Sequence, residues 1–329
     1  MAVLAVLGAG AWGTAISVAL APRHDVRLWA RDAVHAQLID SERRNARYLP
    51  DISLPAAVKA TAELGTAIQG ADLLVVATPV SGLRDVTQRL AAGPSTAPLV
   101  WLCKGFEQDT GLLPHQVVRA GLGDRYPCAV LSGPSFALEV ARGLPCALTL
   151  AAQDAALART LAAQLHGARM RIYHSSDVVG VEIGGAVKNV LALAVGISDG
   201  LGLGQNARAA LITRGLAEIT RLGLALGALP ETLMGLSCAG DLILTATGDL
   251  SRNRRVGLEL ARGRALGEIV AGLGHVAEGV RSAAEVAKLA LQHGVAMPVS
   301  DAVNAVLAGR LSAPQAVESL LARAAKGEA

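Results

Sequence analysis

Hydrophobic runs alternate with amphipathic stretches along the first half of the chain. Residues 2–7 form an uninterrupted apolar run, which is typical of a strand buried on both faces of a parallel sheet. Further strand-like runs follow at 26–29, 72–78, 98–103, 128–131, 146–151 and 169–173. Stretches with helical spacing, such as 154–165, separate them. Strands that alternate with helices predict an α/β fold with a doubly wound sheet.

The pattern changes after residue 177. From there the apolar residues recur at helical spacing, and strand-like runs are nearly absent. The helical stretches are 178–196, 207–226, 256–262, 280–293 and 299–307. We therefore predict two domains, an α/β domain over residues 1–177 and an all-α domain over residues 178–329.

The first 22 residues carry no charged side chain and include Gly8-Ala9-Gly10-Ala11-Trp12-Gly13. An export signal would explain the apolar start, but the basic residues that precede such a signal are missing and glycines interrupt the run. The alternative is a strand, a turn and a helix that together bind a dinucleotide. In that motif Gly8 permits the tight turn, Gly10 lets a pyrophosphate approach the backbone, and Gly13 lets helix and strand pack closely. Its position directly after an N-terminal strand favours this Rossmann-type interpretation.

The residue at the end of the second strand indicates which cofactor binds. An acidic residue there suits a ribose 2′-hydroxyl, whereas an arginine suits the 2′-phosphate of NADP(H). Here Arg31 comes first and Asp32 follows. We therefore expect NADP(H) to be favoured, with NAD(H) as the alternative. An exposed arginine at a strand end, without a ligand, would give the same pattern.

Composition excludes several classes of function. The chain is 52% hydrophobic, 17% charged and 2% aromatic, with a net charge of +3. After the N-terminus, the longest charge-free stretch is 14 residues, 90–103, whereas a membrane-spanning helix needs roughly 20. We predict no membrane insertion. Because the basic residues are dispersed and aromatic residues for base stacking are few, we also predict no nucleic-acid binding.

Cysteine and histidine residues form no metal-binding pattern. The four cysteines and seven histidines are scattered, without Cys-x-x-Cys or His-Glu-x-x-His spacing. In a chain of this size such cysteines are typical of buried small hydrophobic residues in a reducing compartment. We expect no metal and a cytoplasmic location.

Lysine is rare in this chain, with 5 Lys among 30 basic residues. Lys104 comes directly after a predicted strand, and Lys188 lies within an almost wholly apolar helical run. Carbonyl reduction by a nicotinamide needs a proton donor at the oxygen that becomes an alcohol. Lys188 could supply that proton, with Asn189 beside it and Asp241 as the orienting carboxylate. A lysine at a helix edge that extends to solvent is the alternative.

The densest basic cluster is Ser251-Arg252-Asn253-Arg254-Arg255. It opens a predicted helix, so its backbone amides and guanidinium groups would suit a phosphate. A solvated basic turn is the alternative.

A second motif suggests a different chemistry. Residues 196–200 match Gly-x-Ser-x-Gly, the nucleophile elbow of α/β-hydrolases, which needs a strand before the serine and a helix after it. Here a helical pattern, and not a strand, precedes the serine. This order disfavours a hydrolase.

These stretches together resemble one family, the bacterial NAD(P)-dependent glycerol-3-phosphate dehydrogenases. The similar segments are GAGAWGTA (8–15), LWAR (28–31), RYLP (47–50), KG (104–105), SGPSFA (132–137), GAVKNVLALAVGISDGLGLGQNARAALITRG (185–215), GDLILT (240–245), SRNRRVG (251–257) and EG (278–279). The resemblance extends over nearly the whole chain and both predicted domains. It implies reversible reduction of dihydroxyacetone phosphate to sn-glycerol 3-phosphate, which supplies glycerophospholipid biosynthesis.

The resemblance also implies roles for individual residues. Lys188 would be the catalytic acid/base. Together with the motifs above, the substrate-binding set is Lys104, Gly133, Ser135, Lys188, Asn189, Asp241, Ser251, Arg252 and Asn253. The cofactor-binding set is Gly8, Gly10, Ala11, Trp12, Gly13, Arg31, Tyr48, Lys104, Ala137, Arg252, Val276 and Glu278.

Two positions depart from the pattern that this resemblance implies. Leu203 stands where an aromatic residue is common, and Gln205 where a small residue is common.

Two other functions remain open, a 2-oxo-acid reductase such as a ketopantoate reductase and a non-catalytic NAD(P)-sensing protein. The 251–253 cluster speaks against the first, because a carboxylate substrate would not need a second anion site. A homodimer is compatible with the many small apolar residues of the second domain.

Overall fold

The computed structural model describes residues 1–124, 126–273 and 277–322. The chain divides into two units, Met1–Glu182 and Ile183–Ala329. The division falls inside a helix, five residues beyond the last residue of the predicted first domain. The reason is that the first turns of this helix pack in the core of the first unit, where Val178 and Val181 are buried.

The first unit is built on an eight-stranded sheet. The described strands are β1 Val3–Leu7, β2 Asp25–Trp29, β3 Arg44–Asn45, β4 Leu49–Ser53, β5 Val58–Thr61, β6 Leu73–Val76, β7 Leu99–Trp101, β8 Cys128–Ser132, β9 Cys146–Ala151 and β10 Met170–Ser175. The order in the sheet is β10-β9-β8-β7-β6-β1-β2-β5, while β3 and β4 form a separate antiparallel pair. All neighbours in the sheet are parallel except β8 and β9.

Helices cover both faces of this sheet. They are α1 Ala11–Leu20, α2 Ala33–Glu42, α3 Leu64–Ile68, α4 Leu83–Ala91, α5 Pro114–Leu122, α6 Ala137–Ala141, α7 Ala155–Leu165 and the first turns of α8 Val178–Gly200. Side chains of β1 alternate between two cores. Leu4 and Val6 pack in a core with α1, α2 and α7, whereas Ala5 and Leu7 pack in a core with α3, α4 and α5. The predicted doubly wound α/β architecture is confirmed.

The second unit contains no strand among its described residues. Its helices after α8 are α9 Gly204–Ala225, α10 Pro230–Leu233, a π-helical turn Leu236–Gly240, α11 Asp241–Thr247, α12 Arg252–Ala261, α13 Leu266–Leu273, α14 Glu278–Gln292, α15 Pro298–Leu307 and α16 Ala313–Leu321. Glycines let α8 and α12 touch backbone to backbone. A Cβ at Gly196 would lie 2.1 Å from the carbonyl oxygen of Arg254, and one at Gly257 would lie 2.3 Å from that of Leu193. This close contact fixes the start of α12 against α8.

Helix α8 is apolar because it is a core helix. Among the residues that the structure describes, it is the one helix long and apolar enough to cross a membrane, and 94% of its most apolar window is buried within the protein. The apolar side chains of this helix are therefore satisfied by protein packing.

Candidate active site

The glycine loop connects β1 to α1 at the carboxyl edge of the sheet. Gly8 has a φ of 126°, a conformation that favours glycine. A Cβ at Gly13 would lie 1.8 Å from the carbonyl oxygen of Gly8, so only glycine fits there. A Cβ at Gly10 would meet nothing within 4 Å. This opening lies beside the N-terminus of α1, whose first turn carries no acidic residue, so the loop suits a pyrophosphate.

A buried hydroxyl group lies next to this loop. Thr78 follows β6, the parallel neighbour of β1, and a Cβ at Gly8 would lie 3.0 Å from its backbone nitrogen. Its Oγ1 is buried and has no hydrogen-bond partner within the described part of the chain. A buried polar atom without a partner calls for an explanation, and a ligand bound at the loop would supply a partner. Thr78 ends the strand-like run 72–78, at the edge of the sheet where ligands of open α/β sheets bind, but it was not assigned to either predicted binding set.

Arg31 is exposed two residues after the end of β2, and Asp32 is the N-cap of α2. The Asp32 carboxylate accepts a hydrogen bond from the His35 backbone N–H at 3.1 Å. Asp32 therefore has a structural role in capping a helix, which leaves Arg31 as the charged side chain available for a ribose phosphate.

Tyr48 packs edge to face against His35, with ring centroids 5.7 Å apart. Trp12 and Ala137 both pack, partly buried, against the small core formed by α1 and α6.

Lys104 and Ser135 meet at one carbonyl group. The Lys104 ammonium donates to the carbonyl oxygen of Gly133 at 3.1 Å, and the Ser135 hydroxyl donates to the same oxygen at 3.0 Å. Gly133 has a φ of 142°. Because β7 and β8 are parallel neighbours, the segments that follow them lie side by side. The structure thus brings these three predicted site residues together.

An ion pair holds the segment after Lys104. Arg84 donates two hydrogen bonds, each 2.7 Å long, to the two carboxylate oxygens of Glu107. The Thr110 hydroxyl adds a third at 2.6 Å. The Arg84 guanidinium keeps the pKa of Glu107 below its usual value, against the opposing effect of burial.

In the second unit, Lys188 and Asp241 form a buried pair. Their side chains are 7% and 2% exposed, and the Lys188 Nζ lies 2.5 Å from an Asp241 carboxylate oxygen. Lys188 also donates to the Thr245 hydroxyl at 3.0 Å, which in turn donates to the backbone oxygen of Asp241 at 2.7 Å. The alternative of a solvent-extending lysine is therefore wrong. Thr245 was not predicted, although it lies one helical turn beyond Asp241 on α11, where the two side chains share a face.

A buried cysteine lies near this pair in the chain. Cys238 lies in the π-helical turn and is fully buried. Burial, together with the charge of Asp241, raises the pKa of its thiol to about 12, against the opposing effect of Lys188. The thiol therefore stays protonated at neutral pH.

Two asparagines link three helices of this unit. Asn253 on α12 donates to the side-chain oxygen of Asn189 on α8 at 2.9 Å. The Asn253 side-chain oxygen accepts the backbone N–H of Gly279 on α14 at 3.0 Å. A Cβ at Gly279 would lie 2.4 Å from the Asn189 backbone oxygen, so the helices are in close contact. Both predicted substrate-binding asparagines are thus partly committed to this network.

The basic cluster divides into two parts. Ser251 is the buried N-cap of α12 and accepts the Arg254 backbone N–H at 3.2 Å, while Arg252 is exposed. The Arg254 guanidinium is bound instead to Asp199 at 2.8 Å and to Asp249 at 3.0 Å. Arg254 is therefore not available as an anion ligand, contrary to the expectation for the whole cluster.

Glu278 begins α14 and is partly buried. Burial raises the pKa of its carboxyl group, and the positive charges of Arg281 and Arg252 oppose this effect. Of the predicted cofactor-binding residues, Val276 lies outside the described residues.

The Gly-x-Ser-x-Gly stretch is not a nucleophile elbow. Ser198 lies inside helix α8 and is fully buried, whereas an elbow serine is exposed between a strand and a helix. Gln205 accepts a hydrogen bond from Arg208 at 2.8 Å, and Leu203 is 44% exposed at the start of α9. No cluster of three potential metal ligands occurs within residues 1–124, 126–273 and 277–322.

Comparison with known proteins decides the family. The sequence model of the NAD-dependent glycerol-3-phosphate dehydrogenase N-terminus matches residues 3–158, and that of the C-terminus matches residues 177–318. The chain belongs to this family. It is 60% identical to a glycerol-3-phosphate dehydrogenase [NAD(P)+] of Methylibium petroleiphilum, over 99% of this chain and 98% of that protein. The predicted family is confirmed.

Solved structures agree with this assignment. A crystal structure of glycerol-3-phosphate dehydrogenase from Coxiella burnetii superposes with a TM-score of 0.93 at 42% identity, over 98% of this chain and 99% of that one. A ketopantoate reductase from Ralstonia eutropha superposes over 96% of this chain and 99% of that one, with a TM-score of 0.56 at 17% identity. The latter likeness concerns the fold alone, so it does not support the alternative 2-oxo-acid reductase activity.

Proposed function

We propose that this chain catalyses the reversible reduction of dihydroxyacetone phosphate to sn-glycerol 3-phosphate with NAD(P)H. The observation that carries the proposal is the buried Lys188–Asp241 pair. An ammonium group buried this deeply in an apolar helix is unfavourable unless it is paired, and Asp241 provides the partner that keeps it charged and in one position. Family membership and the glycine loop agree with this chemistry.

The first unit supplies the residues that bind the nucleotide. Gly8, Gly10 and Gly13 let the pyrophosphate approach the backbone at the start of α1, where the N–H groups point toward an anion. The proposed cofactor-binding set in this unit also includes Ala11, Trp12, Arg31, Tyr48, Lys104 and Ala137. When bound, NAD(P)H supplies a hydride to the carbonyl carbon of the substrate.

Lys188 donates and accepts the proton of the reaction. During reduction its ammonium donates a proton to the carbonyl oxygen as negative charge develops there, and during oxidation its amine accepts the proton again. Asp241 orients the Nζ and stabilises its charged form, and Thr245 restricts it from a second direction. These contacts hold the proton donor in one position, which reduces the reorganisation needed during catalysis.

The substrate is held by hydrogen bonds and positive charge. Ser251 and Arg252 lie at the start of α12, where backbone N–H groups favour a phosphate. Asn189 and Asn253 retain hydrogen-bonding capacity beyond the network that they form, because each amide can make more bonds than that network uses. In the first unit, Lys104, Gly133 and Ser135 form the remaining part of the proposed substrate set. Arg252, Val276 and Glu278 are proposed to contribute also to cofactor binding.

The proposal extends to cofactor preference, location and assembly. Arg31 would pair with a ribose 2′-phosphate and so favour NADPH, while NADH would bind without that contact. We infer a cytoplasmic enzyme, which supplies glycerophospholipid biosynthesis and forms a homodimer.

An assay of cofactor oxidation tests the proposed function. NADPH and NADH are supplied separately with dihydroxyacetone phosphate, with ketopantoate, or without substrate, and absorbance at the nicotinamide band is followed. We expect cofactor oxidation with dihydroxyacetone phosphate, and none with ketopantoate or without substrate. Turnover with ketopantoate only, or nucleotide binding without turnover, would contradict the proposal.

A further inference from the structure

A buried asparagine connects the glycine loop to the β3–β4 hairpin. Asn45 on β3 is 0% exposed. Its Nδ2 donates to the backbone oxygen of Ala9 in the glycine loop at 2.9 Å and to the hydroxyl of Thr14 on α1 at 2.8 Å. Its backbone oxygen accepts the N–H of Tyr48 at 3.1 Å. Asn45 therefore contacts the loop, the helix and the turn that carries Tyr48.

The bond to Ala9 determines how the next peptide group is oriented. In a trans peptide the C=O and the following N–H point in opposite directions. Because the Ala9 carbonyl is directed at Asn45, the N–H of Gly10 points away from it. At Gly10 a Cβ would meet no atom within 4 Å, so the backbone is open to a ligand there.

Stability alone does not account for an asparagine at this position. The Oδ1 of Asn45 is buried and has no hydrogen-bond partner within the described residues. A buried polar atom without a partner is unfavourable, so the side chain is explained by its amide donor, which binds Ala9 and Thr14, and not by its oxygen. What an apolar residue lacks is the amide donor that holds the Ala9 carbonyl.

We propose that Asn45 is a positioning residue for the cofactor, which acts by holding the Ala9–Gly10 peptide so that its N–H meets the pyrophosphate. This inference rests on the proposed function, because it assumes that NAD(P)H binds at the glycine loop. Asn45 acts through the backbone and does not contact the reacting atoms.

Two substitutions separate this role from a purely structural one. Asn45→Asp keeps the size of the side chain but replaces the donor with a carboxylate oxygen, which repels the Ala9 carbonyl. Thr14→Val is the matched control, since it removes the second bond of the same amide and leaves the bond to Ala9. If Asn45→Asp does not give a folded protein by circular dichroism, Asn45→Ala replaces it.

The readouts are dissociation constants for NADPH and for adenosine 2′-monophosphate, which has no pyrophosphate, together with the thermal midpoint of each ligand-free variant. We expect the Asn45 variant to bind NADPH about tenfold or more weakly, as for the loss of one hydrogen bond to a charged group, and to bind the nucleotide fragment about as the wild type does. Thr14→Val should keep NADPH affinity within about threefold, since the Ala9 contact remains.

Three results would overturn the inference. One is unchanged NADPH affinity in the Asn45 variant. The second is an equal loss of affinity in the Thr14 variant, and the third is an equal loss for both ligands, since either would indicate a general structural defect. If the wild type binds neither NADPH nor NADH, the proposed function fails and this inference fails with it. If it binds NADH alone, NADH replaces NADPH in these measurements.

Discussion

Replacing Lys188 with methionine tests the central element of the proposed mechanism. Lys188→Met keeps most of the length and apolar surface of the side chain but removes its charge. The Asp241 carboxylate, 2% exposed, then stays buried without its cation. The substitution should therefore change both the stability of the second unit and catalysis.

The magnitude can be worked from the geometry. At the observed 2.5 Å separation, the attraction between unit charges is about 7 kcal/mol at an effective dielectric constant of 20. Desolvation of both groups offsets much of this, and breaking a buried pair by removing one partner costs about 3–5 kcal/mol. The double variant Lys188→Met/Asp241→Asn removes both charges. It should lose less stability than the sum of the two single variants, by at least about 2 kcal/mol.

Urea unfolding and steady-state kinetics are the two assays. We expect the free energy of unfolding to fall as given above and kcat to fall by about 100-fold or more, which is the usual contribution of general acid catalysis. NADPH affinity should stay near that of the wild type. Lys288→Met is the matched control, because Lys288 is an exposed lysine of the same unit, and it should change neither quantity.

Two results would refute this reasoning. If Lys188→Met retains more than about a tenth of kcat, Lys188 is not the proton donor. If the single and double variants lose stability additively, the two charges are not coupled as their geometry indicates.

Three further predictions follow from the first unit. Arg31→Ala should weaken NADPH binding by about tenfold or more and leave NADH binding unchanged, since only NADPH has the 2′-phosphate; equal Kd changes for both would contradict this role. Gly10→Ala should lower NADPH affinity without changing the thermal midpoint, because its Cβ would meet no protein atom within 4 Å. Gly13→Ala should instead destabilise the ligand-free protein, because its Cβ would lie 1.8 Å from a carbonyl oxygen. A lower thermal midpoint for Gly10→Ala than for Gly13→Ala would refute this. The pKa of Glu107 is lowered by Arg84, so the pair stabilises fully above the unfolded-state pKa of about 4.3 and progressively less as pH falls below it. Unfolding measured from pH 6 to 3 should therefore depend less on pH in Glu107→Gln than in the wild type, and identical slopes would exclude this contribution.

The sequence alone was sufficient for the α/β class and for the glycine loop. Residues 2–7 predict a doubly buried strand because both alternating faces of β1 are apolar. The Gly8–Gly13 spacing predicts a turn and a helix N-terminus because each glycine meets a local steric demand. The hairpin β3–β4 and the edge strand β5 were not predicted, since short strands with polar residues carry no clear periodicity. The antiparallel pairing of β9 with β8 was not predicted either, because the composition of a strand does not indicate the direction of its neighbour.

The composition of the candidate site was decided partly by the sequence and partly by the tertiary structure. Lys188 was a candidate because a charged residue in an apolar helical run is unusual, and this is visible in the chain itself. The sequence did not predict three contacts that the structure shows: Lys188 with Thr245, Arg254 with Asp199, and Asn45 with the Ala9 carbonyl of the glycine loop. Backbone sterics and hydrophobic periodicity act between near neighbours and leave a regular pattern in the sequence. A hydrogen bond between residues far apart in the chain depends on how whole elements pack, so only the folded structure determines it.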